Sequence, residues 1–227
     1  IDDPEAESVF MAMAMAWACK ELASLSRFLG DNAYAQQLLD QRAALVETIN
    51  REAWDGEWYL RAFSKFGPVG SKSSPTGGNI YINPQVWSIL ADVVPEDRLD
   101  AVLTAIDRMD KKYGIQLCEP AYPHYDRHVG RMSGMLPGLF ENGGVYNHCN
   151  AFKIMADCKL GRAEQALSTL HKMIPDSKDN PVSITGAEPY LFVNCWCMHP
   201  SFFTRIWFGW FTGTSAWALR GFYEGIC

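Results

Sequence analysis

The sequence predicts an all-α protein, built as a toroid of paired helices, and three observations carry that expectation. Segments with apolar residues at helical spacing recur along the 227 residues. Short turns at Gly30-Asp31 and Gly161-Arg162 join some of these segments as antiparallel neighbours. The alternate connections lengthen into stretches rich in Gly, Pro and Ser, which would gather at one end of the array. Helix pairs at irregular spacing also fit a solenoid, although no repeat is strict enough to define one.

Taken in order, Pro4 to Leu29 reads as the first helix, with "PEAES" as an acidic first turn and Gly30 as its close. "MAMAMA" alternates like a strand, but Met and Ala favour helix and the segment is too long for a buried strand. Asp31 caps a second helix reaching about Ala53, with Leu38, Leu39, Ala43, Val46 and Ile49 on one face. Trp54 to Gln85 is a long loop with room for one short hairpin, and long loops in compact domains usually have a function. Helices follow at Pro84 to Ala91 and Pro95 to Lys112. A second long loop runs from Gly114 to Asn147. Further helices are expected at His148 to Lys159, Arg162 to Met173, Glu188 to Met198 and Thr214 to Tyr223.

Composition fits one globular unit, 48% apolar and 20% charged. A net charge of −6 offers no general attraction to nucleic acid or anionic lipid. The most apolar stretches, Phe10 to Ala18 and Pro200 to Leu219, are interrupted by Arg205 and by small or polar residues, so neither reads as a membrane span. A soluble, cytoplasmic chain is the expectation. The seven cysteines form no CxxC pairs and read as reduced core thiols. Cys195-Trp-Cys197 lacks a second cluster to complete a zinc site, so no metal is expected. The chain opens on Ile1 with no signal-like segment and reads as a piece of a longer protein.

Candidate chemistry concentrates in "LFENGGVYNHC", Leu139 to Cys149. Here His148 stands where a helix begins, beside unpaired backbone N–H groups and the positive end of the helix dipole, a setting suited to an anion. A capping histidine after an ordinary Gly-Gly turn is the competing reading. "WFTGTSAW" repeats the arrangement, placing Thr212, Gly213 and Thr214 before the last helix, where threonine N-capping is the alternative. Neither GxGxxG nor GxxxxGK[ST] occurs, so nucleotide binding has no support. Trp54, Trp58, Tyr59, Tyr81, Trp87, Tyr122, Tyr125, Tyr146 and Tyr190 lie in or beside loops. Some could stack on pyranose rings while Glu141, Gln85 and Glu188 bond hydroxyls, and core packing is the alternative for each. His124 and His128 are four apart but lack an HExxH glutamate, and read as surface residues.

In this order, "ESVF", "WDGEWYLRAFSKFGPVGS", "IYINPQVWSIL", "YPHYDRHVGRMSGMLPGLFENGGVYNHCNAFKIMADCKLGR", "EPYLF" and "WFTGTSAWALRGFYEGI" together resemble the catalytic domain of the cellobiose, cellodextrin and chitobiose phosphorylases, glycoside hydrolase family 94. The resemblance implies an (α/α)6 barrel and inverting phosphorolysis of a β-linked saccharide to a sugar 1-phosphate. Inorganic phosphate is then the co-substrate and no cofactor is needed. It implies that His148 with Thr212 and Gly213 hold phosphate, that Glu141 lines the donor-sugar pocket, and that the complete enzyme is a homodimer. The family's general acid is an aspartate in a D-W-N-D motif that is absent here, and neither Asp2 nor Asp3 has the Trp-Asn context. Residues 1–227 therefore match the later two thirds of the barrel, without the preceding β-sandwich or the following β-rich domain, and the isolated chain is expected to be inactive. Two other classes fit the residues: an α/α-barrel hydrolase or lyase with Glu141 or Glu188 as acid, and a non-catalytic carbohydrate-binding or scaffold protein.

Overall fold

The computed structural model describes residues 3–175, 178, 181–202, 205–209 and 212–227. The long helices are α1 (Val9–Phe28), α2 (Asn32–Glu52), α3 (Ile82–Leu90), α4 (Glu96–Arg108), α5 (Asn147–Lys159) and α6 (Ala163–Met173). A single turn, α7 (Val182–Thr185), and α8 (Thr214–Gly221) complete them, and α8 runs into a π-helical turn at Phe222–Ile226. The first helix starts later than its acidic "PEAES" suggests, because the Ser8 hydroxyl accepts from the Met11 amide at 3.3 Å and fixes the start there. Asp31 caps α2 as expected, accepting from Tyr34 N at 2.9 Å, and Gly30, at φ +87°, makes the reversal between the two helices.

Short strands stitch the loops together, so the all-α expectation is incomplete. β1 (Glu7–Ser8), β2 (Ala62–Ser64) and β3 (Gly67–Val69) form one antiparallel sheet, which contains the hairpin foreseen in the first long loop. β4 (Ile80–Tyr81) pairs with β7 (Cys118–Glu119), and β5 (Asp110–Lys111) with β6 (Gly114–Ile115). β8 (Val145–Tyr146), β9 (Cys195–Trp196) and β10 (Ile206–Trp207) form a third ladder with β9 central. That ladder replaces the helix expected at Glu188 to Met198. "LFVNCW" is rich in β-formers, and its backbone bonds go sideways: Asn194 N donates to Phe208 O, and Asn147 N to Asn194 O, both at 2.9 Å.

Trp87 organises the core. Its indole meets Phe10 and Trp17 of α1, Phe152 of α5 and Trp217 of α8, with centroids 5.4 to 6.3 Å apart in tilted or edge-on geometry. Three helices thus converge on one side chain of α3, which is spent on packing rather than on stacking against a ligand. Trp58, Tyr59, Tyr81 and Tyr122 are buried likewise, whereas Tyr125 and Tyr190 stay exposed. α5 is buried along most of its length, and within it Lys153 bonds Asp157 and Thr169, with Arg162 also pairing with Asp157 at 3.2 Å.

α1 has a length and composition that a membrane-crossing helix and the core helix of a globular protein share. In the fold one face packs against α2 and α3, while Met11, Met15, Leu22, Leu25 and Phe28 lie exposed on it.

Candidate functional site

The bend from Leu139 to Gly144 is shaped by its own backbone. Gly138 N donates to Asn142 O at 2.7 Å and Gly144 N to Phe140 O at 3.0 Å, which holds Phe140 at φ +47° and Gly143 at φ +81°. A Cβ on Gly144 would stand 2.6 Å from Phe140 O, so this position requires glycine. Asn142 is fully buried and serves structure: its Oδ1 accepts from Tyr122 N at 2.7 Å, and its Nδ2 donates to Tyr122 O and Met135 O at 2.9 and 2.8 Å. With its neighbours so fixed, Glu141 is half-buried and lines two cavities.

His148 occupies the first turn of α5, where no side chain caps the helix. Its ring lies nearly parallel to Tyr146, at 6.5 Å and 9°, and 5.9 Å from Phe152. Gly213 meets it from the far end of the chain: a Cβ there would press on the imidazole, 2.8 Å from Cε1 and closer still to Nε2. The two helix starts singled out in the sequence therefore converge. Between them, Thr212 Oγ1 accepts from Thr214 N at 3.1 Å and shares a hydroxyl bond with Thr214 at 2.6 Å, so the turn orders itself before any ligand arrives. Burial lowers the His148 pKa below 6.5. The imidazole is thus a neutral donor at neutral pH.

Two cavities share Glu141 and Tyr146. The inner one, about 370 Å3, is lined by Arg61, Tyr81, Asn83 and His148 together with the shared pair. The outer one, about 390 Å3, has Arg131, Phe140, Asn194 and Phe208 on its walls. Cys149 also lines the inner cavity, but burial pushes its thiol up to about 12, so it is no nucleophile.

Two of the expected sugar ligands lie elsewhere. Gln85 is fully buried, accepting from Tyr59 N at 2.9 Å and donating to Tyr59 O and Tyr81 O at 2.8 and 2.9 Å, so its amide is consumed by backbone and lines neither cavity. Glu188 is exposed, accepts from the Tyr190 hydroxyl at 3.4 Å and lines neither cavity. Arg61 was missed. Burial lowers its pKa, and Nη1 donates to Ser8 Oγ at 2.8 Å. A charge flanked by Leu60 and Ala62, both buried, was the available signal.

A larger cavity, about 760 Å3, lies between residues 64–76 and 122–129 and shares no residue with these two. It contains His124 and His128, the latter stacked on Phe66 at 4.5 Å. Among the described residues no three His, Cys, Asp or Glu side chains come together as a metal site.

The sequence profile of the "Glycosyl hydrolase 94 superfamily, catalytic domain" matches residues 2–227. Solabiose phosphorylase of Paenibacillus borealis is 36% identical over 96% of this chain and 30% of its own length. A 3-O-beta-D-glucopyranosyl-beta-D-glucuronide phosphorylase of the same organism is 35% identical over 83% of this chain and 24% of its own. Cellobionic acid phosphorylase of Neurospora crassa is 30% identical over 97% and 29%. The chain thus spans less than a third of the length of these relatives. Among solved structures, the GH63 mannosylglycerate hydrolase of Thermus thermophilus superposes with a TM-score of 0.64 at 14% identity, over 96% of this chain and 48% of that one, a likeness of fold alone. Profile and relatives show that the chain belongs to the glycosyl hydrolase 94 superfamily, within its catalytic domain.

Proposed function

We propose that the protein is a glycoside phosphorylase that cleaves a β-linked disaccharide or oligosaccharide by inverting attack of inorganic phosphate, giving a sugar 1-phosphate and a shortened saccharide. The observation that carries this reading is the contact between His148 and Gly213, which sets the second helix start against the imidazole that lines the inner cavity. Free amides of a helix start and a neutral imidazole N–H donate to phosphate oxygens without being reordered during the reaction. Phosphate then attacks the anomeric carbon, the bond to the leaving sugar oxygen breaks, and a carboxylic acid protonates that oxygen. Phosphate is already nucleophilic, so no second carboxylate is needed to activate water, and one acid suffices. On the family resemblance that acid is an aspartate outside residues 1–227, and the whole enzyme is a cytoplasmic homodimer with an (α/α)6 barrel. Glu141, between the two cavities, is placed to bond sugar hydroxyls.

Product analysis tests the reading. Incubating the intact enzyme with disaccharide and phosphate should give an α-anomeric sugar 1-phosphate, seen by phosphorus and proton NMR, with no cleavage when phosphate is omitted. Free reducing sugar formed at the same rate without phosphate would instead identify a hydrolase. Relatives named for a glucuronide and for cellobionic acid, beside solabiose, leave acceptor choice to residues particular to this chain.

A further inference from the structure

We propose that the cavity of about 760 Å3 between residues 64–76 and 122–129 is a second saccharide site, which holds a neutral oligosaccharide without cleaving it. It shares no lining residue with either cavity at Glu141, so its occupant and a sugar bound there use different side chains. Exposed rings form its wall. Phe66, at the turn between β2 and β3, stacks on His128 of the opposite loop at 4.5 Å and 28°, and both stay exposed. Tyr125, 65% exposed, lines the same cavity. Exposed rings clustered in this way mark a binding surface, and their flat faces suit the C–H face of a pyranose. The platform is held from behind. Asp126 accepts from the Thr76 hydroxyl and from His128 N, both at 2.8 Å, which ties the two loops together, and its own N–H donates to the buried Ser133 hydroxyl at 2.8 Å. Arg127 Nε donates to His128 Nε2 at 3.3 Å, while His128 Nδ1 lies 3.6 Å from Asp126 Oδ1, so the imidazole is oriented before any ligand arrives.

Hydrogen bonding decides which ligand fits. Ser64 donates its hydroxyl proton to Gly67 O, Ser74 to Gly77 O, Thr76 to Asp126 and Ser71 to Asp55. With the Ser71 proton so placed, Ser73 is the donor in the 2.9 Å bond between the two serines. A hydroxyl has one proton and two lone pairs, so these five lining residues can meet a ligand only as acceptors. Sugar hydroxyls bring the donors that such oxygens need, whereas a phosphate or carboxylate would meet lone pairs. Charge points the same way, because the charged lining residues are Asp126 and Arg127, which cancel and leave no net cation to hold an anion. The volume is about twice that of the inner cavity, and the Phe66–His128 pair and Tyr125 offer separate stacking faces, so an oligosaccharide matches it better than a single ring.

The test titrates the intact enzyme by isothermal calorimetry with a sulfur-linked cellotetraose, which resists cleavage, so the outcome does not depend on which reaction the enzyme catalyses. Wild type should bind it. Phe66→Ala and Tyr125→Ala should each weaken a component of that binding roughly five- to thirtyfold, the cost of truncating an aromatic anchor, and Phe66→Tyr should retain it. Tetrasaccharide bound at the Glu141 cavities contributes equally in every protein, so the signal is the component that the alanine variants lose. Both rings are exposed, so the variants should keep the wild-type melting temperature and the wild-type kcat/KM on a disaccharide. No binding by wild type, an isotherm that neither alanine variant changes, or a parallel fall in disaccharide kcat/KM overturns the assignment. Binding of inorganic sulfate that Arg127→Ala abolishes, with the tetrasaccharide not bound, would make this an anion site and overturn it as well.

Discussion

His148 is half-buried, and that burial holds its folded-state pKa below the 6.5 of a free imidazole. Between those two values the unfolded chain binds more protons than the folded one, so stability rises with pH across that window and is lost as pH drops below about 6.5. Equilibrium unfolding at a series of pH values should show this slope, and His148→Asn should flatten it; an unchanged slope would mean the imidazole is solvated. Gln85 carries the opposite lesson. In sequence, a glutamine beside loop aromatics resembles a sugar ligand, but its amide bonds the backbone of Tyr59 and Tyr81. Gln85→Leu, which strands these buried groups, should cost about 2–3 kcal/mol of unfolding free energy. Saccharide KM should stay unaltered, and a selective KM rise at full stability would restore the ligand role. No periodicity distinguishes the two roles, because both place a polar residue next to aromatics.

At the level of single helices, α5 joins site and scaffold. Its first turn presents His148, while two turns later Lys153 and Asp157 are buried together, and burial raises the Asp157 pKa despite the pull of Lys153 and Arg162. Removing one member of such a pair leaves a stranded charge, so Lys153→Met should cost about 3–5 kcal/mol. Lys153→Met with Asp157→Leu should cost less than the single change, and denaturant titration of the three proteins compares them. Strictly additive losses would show the two charges to be uncoupled. The helices themselves were legible where caps and periodicity agreed: Asp31 starts α2, and α3 to α6 lie within a few residues of their expected bounds. Glu188 to Met198 was not legible. That segment's apolar run is equally consistent with helix and strand, and only its pairing with Val145 and Tyr146 decides.

Across the whole molecule, pairing of helices with long loops was readable from turn residues, and the family motifs singled out the residues proposed for the site. The convergence of Gly213 on His148, 65 positions apart in the chain numbering, depends on tertiary packing that no local pattern encodes. Nor did the sequence signal that α1 would expose Met11, Met15, Leu22, Leu25 and Phe28, because its composition looks the same whichever face is covered. An apolar face of this kind favours association. Purified residues 1–227 should therefore form concentration-dependent oligomers in sedimentation velocity, weakened by Leu25→Lys with Phe28→Lys; a monodisperse monomer at all concentrations would contradict this. The central claim is that His148 and Gly213 together hold phosphate. Its most direct test is the phosphate dependence of cleavage at saturating disaccharide in the intact wild type, His148→Ala, Gly213→Ala and the double variant. The account predicts that each single change raises the phosphate KM roughly ten- to hundredfold, and that disaccharide KM moves far less. The double variant should be little worse than either, because the methyl that Gly213→Ala introduces displaces the same imidazole that His148→Ala removes. A lowered melting temperature with an unchanged phosphate KM in His148→Ala would reduce both residues to helix-end packing and contradict the account.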